Sequence, residues 1–196
     1  MTDNSGVLFI ISGPSGVGKG TVLNETLKKF NNIFYSVSMT TRKPRMGEID
    51  GVNYRFVSKE TFDKMIEEGK MLEYAAYCTA CYGTPHEPVK AALAAGHHVI
   101  LEIETKGMRI VREIYPNAVK IFIVPPSLEI LEKRIRDRGT EDDSKINARL
   151  NEAKNELLSI NEYDHIIIND RLDDAVSELT VLFSSYISKT VNNSAK

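Results

Sequence analysis

The chain has 196 residues, 42% of them hydrophobic and 27% charged, which suits one globular domain with a sizeable core. Its 25 Lys and Arg against 27 Asp and Glu leave a net charge of −2, so no global basic field points to nucleic acid. No apolar run approaches the ~20 residues of a membrane span, no signal peptide is expected, and two cysteines suit a reduced, cytoplasmic setting.

Val7-Leu8-Phe9-Ile10-Ile11 reads as a buried parallel strand. Gly13-Pro14-Ser15-Gly16-Val17-Gly18-Lys19-Gly20-Thr21 follows it, and Val22, Leu23, Thr26, Leu27 and Phe30 then recur at helical spacing. Strand, glycine loop, lysine and helix together are the context of a phosphate-binding loop. Glycines let successive backbone N–H groups turn inward, and the helix N-terminus adds partial positive charge. Lys19 adds a full charge for β- and γ-phosphates. The position after such a lysine is usually Ser or Thr; here it is Gly20, with Thr21 next.

Residues 33–38 read as a second strand. Residues 40–51 are polar, aperiodic and carry Pro44, Gly47 and Gly51, as functional loops do. A short strand at 52–57 sets Tyr54 and Phe56 on one face, and Ser58 caps a helix over 59–68. A strand at 71–77, a loop at 78–85 and a helix at 86–95 come next. A strand at 98–104 ends in Glu102 and Glu104, which the two-residue period sets on one face. Then come a helix at 105–115, a strand at 119–124 and a helix carrying Leu128, Leu131 and Ile135 inward. After a break at 139–143 follow a long helix from 144 to about 160, a strand at 165–168, a closing helix at 172–188 and a polar tail at 191–196. The alternation predicts an α/β fold with a doubly wound, five-stranded parallel sheet. The short strands within 38–85 suggest an inserted small antiparallel subdomain.

Four clusters carry chemistry. Ser38, Arg42, Arg45 and Tyr54 can clamp a phosphate, since arginine forks bind it bidentately. Glu73 stands with Tyr82-Gly83-Thr84. Glu102 and Glu104 sit where ligands bind in open α/β sheets. Arg134, Arg136 and Arg138, with Arg149 beyond the break, suit a segment that closes over a triphosphate. Taken singly, each also reads as solvated charge or an exposed strand end. Cys78 and Cys81 have zinc-ligand spacing but no second pair, and read better as small apolar residues in a loop.

In order, these motifs resemble those of guanylate kinases. They are Gly13 to Lys19, Ser36 to Ser38, Thr40 to Glu48, Gly51 to Tyr54, Tyr82 to Thr84, Glu102 to Glu104, Pro125 to Ser127, Arg138 to Glu141 and Asn169-Asp170. The resemblance spans residues 7 to about 185. It implies a P-loop NTPase-type core (about 1–37, 86–138 and 161–190), a GMP-binding subdomain (about 38–85) and a helical lid (about 134–155). It implies that Gly13, Pro14, Ser15, Gly16, Val17, Gly18, Lys19, Gly20, Thr21 and Asn169 bind ATP. Arg42, Arg45, Tyr54 and Tyr82 would hold the GMP phosphate, and Ser38, Glu73, Thr84 and Glu104 would read guanine. Lys19, Arg42, Arg134, Arg138 and Arg149 would serve the transfer. Mg²⁺ would come with ATP, with Thr21 and Glu102 touching it through water. Implied too are GMP as acceptor with dGMP as a candidate second one, a monomer or homodimer, and no nucleic-acid or membrane partner.

Departures from the family pattern are Gly20, Ala80-Cys81 where Asn-Tyr is common, Lys106 beside the carboxylates, and Glu at 102 and 104 where Asp is frequent. A non-catalytic module of the same fold and a kinase for another acceptor are the rival readings. The retained Lys19, Arg42 and Arg45 oppose the first, and Glu73 with Glu104 the second.

Overall fold

The computed structural model describes residues 6–77, 80–137 and 143–194. Cys78 and Arg138, with the break at 139–142, lie outside the described residues.

The fully buried β1 (Leu8–Ser12) leads into the glycine loop, and α1 (Lys19–Leu27) leaves it. Next come β2 (Ile33–Tyr35), β3 (Met39–Thr40), β4 (Arg55–Phe56) and α2 (Lys59–Glu67), whose Ser58 hydroxyl accepts the Thr61 N–H at 3.1 Å. A pair of strands, β5 (Met71–Tyr77) and β6 (Ala80–Pro85), runs into α3 (His86–Ala94). Then follow β7 (His98–Glu102), α4 (Thr105–Ile114), β8 (Val119–Val124), α5 (Leu128–Arg136), α6 (Asp143–Leu157), β9 (His165–Ile168) and α7 (Leu172–Ser194).

Five strands make a parallel sheet in the order β2-β7-β1-β8-β9, with Ile33 opposite His98 and Ile121 opposite His165. The expected core strands are these five. A second sheet has the order β4-β3-β6-β5; β6 runs antiparallel to β3 and β5, and β3 runs parallel to β4.

By packing, the chain divides into two compact units. The first comprises Met1–Phe9 and Ile33–Ala118. Its core includes Phe62, Leu72, Val89, Val99, Ile100, Met108 and Val111. The second comprises Ile10–Asn32 and Val119–Lys196, built on Ile10, Leu23, Phe122, Leu131, Ile167, Leu179 and Phe183. Among the described residues no helix is long and apolar enough to cross a membrane.

Several local expectations change. The stretch 78–85, expected as a loop, is strand β6 from Ala80, because each residue finds a ladder partner on β5 despite Gly83 and Pro85. The strand expected at 52–57 shrinks to Arg55–Phe56. β7 stops at Glu102, and Glu104 instead caps α4, so the two carboxylates are not on one strand. The closing helix runs on to Ser194 where a polar tail was expected.

Candidate functional site

The second unit carries the phosphate-loop residues. Gly13 leaves β1 so close to β8 that a Cβ there would lie 2.2 Å from the Ile123 carbonyl oxygen. A Cβ on Gly18 would come within 2.8 Å of Asn169 Nδ2, in addition to the strain of its positive φ. Pro14 and Val17 are buried, and the Val17 N–H donates to the Pro14 carbonyl at 3.2 Å, closing the turn. Asn169, 7% exposed, sits just past β9 and donates from Nδ2 to the Val17 carbonyl at 2.7 Å. That bond ties the end of β9 to the loop.

Lys19 is folded back. Its Nζ donates to the Gly13 carbonyl at 2.5 Å and the Pro14 carbonyl at 3.3 Å, so the loop's own oxygens hold the cation in place. Gly20 and the exposed Thr21 complete the first helical turn. Two arginines reach the same unit's loops. Arg149, on α6, donates to Ser15 Oγ at 2.8 Å. The Arg134 fork, on α5, donates to the carbonyls of Asn169 at 2.8 Å and Asp170 at 3.2 Å.

The first unit carries the remaining residues. Arg42 forms a two-pronged ion pair with Glu48 at 2.5 and 2.7 Å, and its guanidinium lies 5.0 Å from the Tyr54 ring centre and 5.4 Å from that of Phe56. Hydrogen bonding from Arg42 is the main reason the Glu48 pKa falls from 4.5 to about 2. Arg45 is exposed; its backbone N–H joins Glu48 at 2.8 Å. The Tyr54 and Tyr82 rings meet edge to face at 5.8 Å, and burial first, then the charge of Glu102, raises the Tyr54 pKa to about 12. Arg42, Tyr54 and Tyr82 are thus gathered, braced by Glu48.

Glu73 and Thr84 lie on the second sheet, and Glu104 stands at the N-terminus of α4. Glu73 and Thr84 face each other across β5 and β6, and the Thr84 hydroxyl donates to Glu73 Oε1 at 2.6 Å. Glu73 is 6% exposed. Burial chiefly raises its pKa from 4.5 to about 7, with the charge of Glu104 adding and the Thr84 hydrogen bond opposing. Ser38 is half-buried before β3, its carbonyl accepting the Arg55 N–H at 2.9 Å.

Glu102 accepts the Tyr35 hydroxyl at 2.8 Å. Tyr35 and Glu48 went unassigned in sequence. An aromatic in a strand reads as core, but Glu48 closes the arginine-bearing motif and is the nearest acid that follows both arginines. No group of three or more His, Cys, Asp or Glu among the described residues is arranged to hold a metal ion. The exposed Thr21 hydroxyl and half-buried Glu102 carboxylate are hard oxygen donors, the kind Mg²⁺ takes through water.

The family described as guanylate kinase matches residues 5–186. The chain is 47% identical over 182 residues to a guanylate kinase of Carboxydothermus hydrogenoformans, covering 93% of this chain and 89% of the relative. It is 51% identical over 170 residues to one from Synechococcus sp. (strain CC9311), covering 87% and 90%. The crystal structure of guanylate kinase from Anaplasma phagocytophilum superimposes with a TM-score of 0.79 at 29% identity, covering 95% of this chain and 88% of that one.

Proposed function

The chain belongs to the guanylate kinase family, and from that premise we propose how its residues divide the transfer of the ATP γ-phosphoryl group to GMP. The protein is an ATP:GMP phosphotransferase, giving ADP and GDP. A GMP phosphate oxygen forms the new bond to the γ-phosphorus. The bond from that phosphorus to the bridging oxygen breaks, and its electron pair leaves with ADP. The attacking oxygen is already anionic, so no strong side-chain base is required, and positioning with charge neutralisation supplies most of the rate.

Lys19 and the amides of the loop and first turn of α1 take the ATP phosphates, and Asn169 lies by the adenine. Arg134, Arg138 and Arg149 serve the transferring group. Arg42, Arg45, Tyr54 and Tyr82 hold the GMP phosphate, the braced Arg42 offering its remaining N–H groups. Ser38, Glu73, Thr84 and Glu104 read guanine. Mg²⁺ would come with the nucleotide and would neutralise phosphate charge, and Thr21 and Glu102 are the hard oxygen donors that would meet its waters. A cytoplasmic setting goes with these substrates.

The observation that carries the acceptor assignment is the buried Glu73 carboxylate, held by Thr84 and close enough to Glu104 to feel its charge. Guanine offers N1–H and a 2-amino group on one edge, and a carboxylate supplies only acceptors. Adenine offers N1 there as an acceptor and has no 2-amino group, so the carboxylate is left unpaired. Such a site can reject the unmatched base by about 10⁴-fold. The test is kcat/KM with GMP, dGMP, AMP, CMP and UMP in a coupled ADP assay. Comparable rates with GMP and AMP would end this account of the pocket.

A further inference from the structure

The Glu73 carboxylate lies against a gap in a helix. Gly107 is the third residue of α4 and is buried. A Cβ built on it would stand 2.5 Å from Glu73 Oε2, 3.0 Å from its Cδ and 3.3 Å from its Cγ. The three atoms nearest that point all belong to this one side chain. No positive φ calls for glycine here, and no backbone atom is among the three that a methyl group would meet first. Glycine is also among the poorest helix formers, so α4 is weakened by it.

The neighbouring positions sharpen the contrast. Thr105, two residues before it, and Met108, the next residue, are also buried and keep full side chains. The carboxylate is therefore fixed from two directions. Thr84 holds Oε1 by a hydrogen bond, and the bare Cα of Gly107 gives Oε2 the room to lie where it does. A methyl group at 107 would act on the far end of a flexible side chain. The side chain would rotate or withdraw, and the fold would keep its shape.

We propose that Gly107 is a positioning residue for guanine recognition, its missing side chain making the slot that aims the Glu73 carboxylate at the N1–H and 2-amino donors of the base. The assignment of Glu73 to guanine underlies this. Gly107 touches no substrate atom; it acts through Glu73 alone.

The experiment compares the full-length native protein with Gly107→Ala, Glu73→Gln, Glu73→Asp and the Gly107→Ala/Glu73→Asp double variant. Steady-state kinetics in GMP and in ATP and thermal unfolding are read for each. Gly107→Ala is expected to raise the KM for GMP about tenfold or more, the scale of a lost charge-assisted hydrogen bond. The KM for ATP and kcat at saturating GMP should stay within about threefold of native, and the Tm should be equal or higher because alanine favours helix. Glu73→Asp draws the carboxylate back from residue 107, so its effect on the KM for GMP should be smaller in the Gly107→Ala background than in the native one. An unchanged KM for GMP in Gly107→Ala overturns the proposal. So does a fall in Tm with both KM values and kcat moving together, or strict additivity in the double variant. If Glu73→Gln leaves the KM for GMP unchanged, the guanine assignment fails and takes the proposal with it. If Glu73→Gln is impaired while Gly107→Ala is silent, only the role of Gly107 fails.

Discussion

Consider Glu73→Gln in the nucleotide-free protein. Burial raises the Glu73 pKa from 4.5 to about 7, so the folded state favours the neutral acid more than the unfolded chain does. Below pH 4.5 both states are protonated and the site carries no penalty. Between 4.5 and about 7 the unfolded chain has lost the proton and the folded one has not, so stability falls as pH rises. Above about 7 both are ionised and the penalty is complete. At about 1.4 kcal/mol per pH unit, it amounts to roughly 3 kcal/mol. An amide does not titrate, and it can still accept the Thr84 hydroxyl. The variant should therefore be more stable than native by about 2–3 kcal/mol at pH 8, raising the Tm by about 5–10 °C. At pH 4 the two should unfold together. The gain in stability should accompany a fall in kcat/KM for GMP of about 10- to 100-fold, as the pocket loses an acceptor of charge-assisted hydrogen bonds. Urea and thermal unfolding of both proteins at pH 4, 6 and 8 make the test. A variant no more stable than native at pH 8, or one with the same gain at pH 4, would refute the reasoning.

Lys19→Ala should lower turnover by at least about 100-fold while the Tm stays within a few degrees, because among the described residues Nζ bonds only the carbonyls of Gly13 and Pro14. Near-normal turnover, or loss of the fold by circular dichroism, would contradict that. Arg134→Ala removes a fork that holds the Asn169 and Asp170 carbonyls, so kcat and the KM for ATP should each worsen about tenfold with the KM for GMP unchanged. A rise in the KM for GMP alone would count against the role proposed for it on the ATP side. Asn169→Asp sets a buried carboxylate against the Val17 carbonyl in place of a donor, and should destabilise by about 2–4 kcal/mol at pH 8. The loss should shrink at pH 4, where a protonated aspartic acid can donate; equal urea midpoints for variant and native at pH 8 would exclude it.

Much of this protein can be read from local order along the chain. The apolar runs ending in Ile11, Leu101 and Val124 are long and continuous enough to be recognised as buried parallel strands, and they form the centre of the five-stranded sheet. The glycine loop declares itself because its chemistry is local: a strand, a tight turn, a lysine and a helix start all lie within about a dozen residues. Ser58 could be read as a cap because its partner Thr61 is three residues away. Only the tertiary structure decided the rest. β6 is a strand because β5 and β3 pair with it, which outweighs the turn-forming character of Gly83 and Pro85. Tyr35 meets Glu102 across 67 residues, and Asn169 reaches Val17 across 152, so no spacing rule links them. That Glu48 braces Arg42, and that the Glu73 carboxylate lies against Gly107, are likewise facts of packing. The depth of Glu73, and with it a pKa near 7, is set by what surrounds the side chain in space. Sequence carries residue chemistry and local periodicity, while burial and long-range contact arise only when distant segments close on one another and exclude water.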